Sequence, residues 1–88
     1  MTPYERAQRA VAQLKGAVYE LLDSSATEGL RNSEIGRALG IYLGHQGHQG
    51  HVSRTVLAMM ELEGVETQDA DTKRWQIMNR INQTGDDS

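Results

Sequence analysis

Apolar positions recur with a helical period over the first quarter of the chain. Ala7, Val11, Leu14, Val18, Leu21 and Leu22 fall at three- and four-residue spacings, which gathers them into one stripe. The spacing predicts a helix from Pro3 to about Asp23. Thr2 stands where an N-cap belongs, Pro3 takes the first helical position, and Glu5 completes a capping box. Gly16 weakens the interior by about 1 kcal/mol relative to alanine. Asp23, Ser24 and Ser25 are turn formers that end the element. Leu30 and its neighbours have room for a very short strand. Ile35 and Leu39 lie one turn apart and predict a second helix, Glu34 to Leu39, capped by Asn32 or Ser33 and stopped by Gly40. The third helix runs from Val52 to Glu63, with Val56, Leu57, Met59 and Met60 inward, and Gly64 ends it.

After Gly64 the period changes to two. Val65 to Gln68 and Arg74 to Met78 alternate as strands, joined by a turn at Asp69-Ala70-Asp71-Thr72. The alternation points Val65, Trp75 and Ile77 inward and Glu66, Arg74 and Gln76 outward. Three helices alone make a thin core, and Trp75 is the residue suited to cover its open side. The expected architecture is one α+β domain, mainly α, over residues 1–78: three helices and a C-terminal two-stranded hairpin. Residues 79–88 form a polar, flexible tail.

Composition narrows the function. A chain of 88 residues builds one small core, with little room for a catalytic cleft and its supporting shell. Cysteine is absent, which excludes disulfides and zinc fingers of the cysteine type. No apolar run approaches the roughly 20 residues of a membrane span, and the N-terminus lacks the plan of a signal peptide. A soluble cytoplasmic protein is expected. The sequence has no serine–histidine–acid order and no glycine-rich phosphate loop after a strand, so neither an enzyme nor a cofactor is expected. The net charge of −3 opposes nucleic-acid binding unless the charges are segregated. Acids gather late, at Glu61, Glu63, Glu66, Asp69, Asp71, Asp86 and Asp87. Bases lie at Arg31, Arg37, Arg54, Lys73 and Arg74.

Two segments carry a resemblance. Asn32-Ser33-Glu34-Ile35-Gly36-Arg37-Ala38-Leu39-Gly40 and Val52-Ser53-Arg54-Thr55-Val56-Leu57 resemble the second and third helices of the winged helix-turn-helix superfamily. Met59 to Val65 is similar to that superfamily's exit into the wing, and Lys73 to Ile77 to its returning wing strand. The likeness spans roughly Leu14 to Met78. It implies sequence-specific binding of double-stranded DNA, as a transcriptional regulator or DNA-associated accessory factor, with the third helix in the major groove. Carried over by position, His51, Ser53, Arg54, Thr55 and Ala58 face the groove. Arg54 reads a guanine edge through its fork, pairing with Glu61 being the plain alternative. Arg31, Ser33 and Arg37 approach phosphates from the second helix, and Lys73 and Arg74 from the wing. A homodimer through the first helix would double those contacts, although that helix shows no second apolar stripe. The alternative is a protein–protein interaction module with no DNA binding, which suits the acidic balance and acidic hairpin.

Gly44-His45-Gln46-Gly47-His48-Gln49-Gly50-His51 repeats a Gly-His-Gln triplet. Three readings stay open. It is a lengthened loop with His51 near the cap of the third helix. It contacts DNA through His48, Gln49 and His51, the glycines letting the backbone approach phosphates. Or His45, His48 and His51 hold a metal, for which no fourth protein ligand is evident. The second reading predicts tighter DNA binding at pH ~6 than at ~7.5, because histidine titrates near ~6.5. Trp75, Met59 and Met60 read as core residues, and the tyrosines as packing residues with exposed hydroxyls.

Overall fold

The computed structural model describes residues 1–25, 27–44 and 49–78. Its elements are α1 (Pro3–Asp23), β1 (Leu30–Arg31), α2 (Asn32–Ala38), α3 (His51–Leu62), β2 (Glu66–Gln68) and β3 (Arg74–Ile77). The predicted tail, 79–88, lies outside the described residues. None of the described helices is long and apolar enough to cross a membrane.

Local signals account for most element ends. The Thr2 hydroxyl accepts from the Glu5 N–H at 3.1 Å, and the Glu5 carboxylate accepts from the Thr2 N–H at 3.0 Å. These two bonds satisfy donors that a helix start leaves unpaired. At the end of α3, the Gly64 N–H donates to the Glu61 carbonyl and the Val65 N–H reaches back to the Met60 carbonyl, both at 3.0 Å. Gly40 and Ile41 make the same pair of bonds, to Arg37 and Gly36, after α2. Both ends are Schellman motifs. In each, the glycine is followed by an apolar residue that turns the chain back toward the body.

The sheet differs from the two-stranded expectation. It has three antiparallel strands in the order β1-β3-β2. Leu30 pairs with Trp75 and Arg31 with Arg74 on one side of β3; Glu66 pairs with Ile77 and Gln68 with Trp75 on the other. A two-residue strand does not stand by itself. It exists here because the inner edge of β3 offers it a ladder. The hairpin is thereby tied to the chain between α1 and α2.

Val18, Leu22, Ile35, Val56, Leu57, Met60, Trp75 and Ile77 form the core, with Leu14, Leu21, Leu30, Leu39 and Val65 packed at its edge. Every helix and β3 contribute, so one core holds helices and hairpin together. Glu66 corrects the expected alternation. The alternation points it outward, yet it is only 1% exposed. Cross-strand partners project to the same face of a sheet. Glu66 sits opposite Ile77, and Ile77 is core, so the register carries the carboxylate inward. Val65 precedes the strand and is half-buried.

Candidate nucleic-acid interface

The geometry of α3 is set at its N-terminus. Gly50 adopts a left-handed conformation, φ 88°, as the residue before the helix. Its carbonyl accepts the Arg54 N–H at 3.0 Å, the Ser53 hydroxyl at 3.3 Å and the Asn32 side-chain amide at 3.3 Å. Its own N–H donates to the Leu43 carbonyl at 2.9 Å. That last bond closes the long connection after α2 at its base, which lets α2 and α3 pack directly despite the inserted repeat. A β-carbon on Gly50 would lie 2.6 Å from the Asn32 amide nitrogen and displace that side chain, and the left-handed backbone itself favours glycine here. Where the helices cross, Gly36 faces Ser53: a β-carbon there would meet the Ser53 hydroxyl at 3.1 Å.

The expected contact residues separate into distinct environments. His51, Arg54, Thr55 and Ala58 are exposed along one face of α3, while Val56, Leu57 and Met60 anchor the other in the core. Ser53, assigned to the groove-facing set, is instead fully buried. Its position on the helix falls within the core-facing arc, and its hydroxyl stays inside by bonding the Gly50 carbonyl. Arg54 forms no hydrogen bond or ion pair through its side chain among the described residues, and the alternative pairing with Glu61 is not made. Gln49 is half-buried at the approach to α3; His48, with His45, lies outside the described residues.

Around α3, Arg31 is exposed and Ser33 half-buried in the first turn of α2, not capping it. Arg31 is the residue before the helix, and its N–H is accepted by Glu34 at 2.8 Å. Arg37 is exposed, with its guanidinium 4.6 Å above the centre of the Tyr42 ring, which presents the charge on a fixed support. Lys73 is exposed at the hairpin end with φ 65°. Arg74 is occupied by the fold: its guanidinium donates to the Gly29 carbonyl at 3.0 Å and lies 3.6 Å from the Glu34 carboxylate. It fastens β3 to the chain ahead of β1. At the hairpin turn, Asp69 accepts from the N–H groups of Asp71 and Thr72, at 2.8 and 2.9 Å. Those backbone bonds, Thr72 first, hold its carboxyl below the ordinary range. Asp69 thus builds the turn.

Sequence reasoning did not find one chemically unusual residue. Both carboxylate oxygens of Glu66 are buried without a hydrogen-bond partner, as is the Trp75 indole nitrogen. Desolvation, and secondarily the Glu61 charge, push the Glu66 carboxyl up to about 7. Only strand register could have flagged it. Among the described residues, no group of three or more histidine or acidic side chains is placed to hold a metal ion. No protein-family model, curated protein or solved structure matches the chain, so what this surface does rests on its own geometry.

Proposed function

We propose that the chain is a winged-helix domain that binds double-stranded DNA with α3 in the major groove. The observation that carries this reading is the exposed face of α3. One side of the helix is locked into the core. The other presents Arg54, which has no side-chain partner among the described residues, beside Thr55, His51 and the small side chain of Ala58. An α-helix fits the major groove of B-DNA, and a free arginine fork matches the two acceptors of guanine. A small residue on that face lets the helix backbone come close to base edges. Arg31 just before α2, Arg37 on α2 and Lys73 at the hairpin are the remaining exposed cations expected near phosphates. Arg74 contributes less than the sequence implied, since its charge is already matched by Glu34.

Fluorescence anisotropy of a labelled random-sequence duplex, titrated with the full chain at low and moderate salt, tests the reading. Binding that weakens steeply with salt is expected, because cations displace counterions from phosphates. Arg54→Ala costs about 1–3 kcal/mol against a cognate sequence selected from a random pool. Absence of binding at millimolar duplex in low salt would sink the proposal. The competing reading, a protein-interaction module, draws on Leu62, 90% exposed on α3 beside Glu61 and Glu63. It predicts that outcome.

A further inference from the structure

Tyr42 joins parts of the chain that the sequence keeps apart. A β-carbon on Gly36 would lie 3.1 Å from its ring carbon Cδ1, and one on Gly50 would lie 3.2 Å from Cε1. The ring therefore rests on backbone at both positions, in α2 and just before α3. Two main-chain bonds bracket the residue: the Ile41 N–H donates to the Gly36 carbonyl at 2.8 Å, and the Gly50 N–H to the Leu43 carbonyl at 2.9 Å. The ring face carries Arg37, whose guanidinium carbon stands 4.6 Å from the ring centre. No carboxylate pairs with Arg37 among the described residues. A planar guanidinium is attracted to the negative face of an aromatic ring, which narrows the rotamers an exposed arginine samples. Its charge stays available to an anion.

The stacked pair adjoins the N-terminal end of α3, because Gly50 directly precedes His51. The hairpin flank offers less free positive charge. Arg74 is committed to Gly29 and Glu34, and Lys73 follows Asp69 and Asp71 in the turn. We propose that Tyr42 is a positioning residue for DNA: it holds Arg37 against a phosphate beside the groove that α3 occupies, so the α2 side grips the backbone more than the hairpin does. This inference rests on the DNA reading and adds to it an uncharged residue that acts through Arg37. Phosphate contacts fix register and carry no sequence information. Tyr42 therefore acts on affinity for every sequence alike, while Arg54 acts on the choice among them.

Two measurements on the full chain test the positioning. Without DNA, the proton shifts of the Arg37 side chain read the ring current of Tyr42. They should lie upfield in the native chain and in Tyr42→Phe, and return to ordinary values in Tyr42→Leu. Duplex titrations over a range of salt then read the contact. Arg37→Ala should raise Kd by about tenfold at low salt and reduce the salt slope by about one, equally for cognate and random duplexes. Tyr42→Leu should reproduce most of that loss and add little when combined with Arg37→Ala. Tyr42→Phe should bind like the native chain. If Tyr42→Leu does not fold, Arg37→Lys at its exposed position keeps the charge without the planar stack, and should show part of the loss. Ordinary Arg37 shifts in the native chain, additive losses in the double variant, or an equal loss in Tyr42→Phe overturn the positioning alone. So do native affinity in the Arg37 variants while Arg54→Ala is impaired, and loss of the cognate preference in Tyr42→Leu, which would make the ring a support of α3 only. No duplex binding by the native chain overturns the DNA reading as well.

Discussion

A carboxylate taken out of water without a hydrogen-bond donor is held there by its proton. Glu66 is in that position: both oxygens are buried and unpartnered, and its carboxyl titrates at about 7 in place of the ordinary 4.5. Burial is the larger cause and the Glu61 charge the smaller. The folded state thus keeps this proton to a higher pH than the unfolded chain does. Stability is greatest below the unfolded value, falls as pH rises from 4.5, and levels off above about 7. Glu66→Gln is neutral throughout and close in shape to the protonated acid. It should match the native chain near pH ~5 and exceed it by about 1–3 kcal/mol at pH ~8. Urea denaturation at the two pH values measures this. An equal difference at both would show that the carboxylate is solvated.

Among the elements, the junction before α3 is the least tolerant. The Gly50 carbonyl gathers donors from Asn32, Ser53 and Arg54, its backbone is left-handed, and a β-carbon there would push the Asn32 amide aside. Gly50→Ala should cost about 1–3 kcal/mol through backbone strain and the displaced Asn32. Thermal unfolding followed by circular dichroism reads the loss. Wild-type stability in that variant would mean that α3 starts without the Gly50 hub. The same junction explains a difference in helix bounds. Asn32 and Ser33 look like caps in the sequence, yet α2 already includes them. Asn32 is held by the Gly50 carbonyl, eighteen positions away in the chain. Thr2–Glu5, Gly40 and Gly64 were legible because each acts on residues within a turn of itself.

For the whole molecule, pH acts on the proposed DNA surface through more than one group. The histidine reading predicts tighter binding near pH ~6 than ~7.5, because imidazolium adds charge beside α3. Glu66 titrates across the same range from beneath the hairpin. Measuring duplex affinity at both pH values in the native chain and in Glu66→Gln separates the two. A pH effect that survives the substitution belongs to the histidines. One that disappears belongs to the buried acid and the placement of the hairpin. Equal affinity at both pH values in the native chain removes the histidines from the contact set.

Period and punctuation alone determined the helices, the hairpin and most of the core. Those features arise between residues a few positions apart, and the stripe through Val11, Leu14, Val18 and Leu22 is one of them. The tertiary structure decided whatever depends on register or on distant partners. It gave β1 a ladder on β3, turned Glu66 inward opposite Ile77, buried Ser53 under Gly36, and committed Arg74 to Gly29 and Glu34. A strand shifted by one residue exposes the opposite face, and local alternation does not fix that shift. Arg54 and Arg74 are the same residue type, each placed in a predicted contact element. The fold commits Arg74 and leaves Arg54 without a side-chain partner among the described residues.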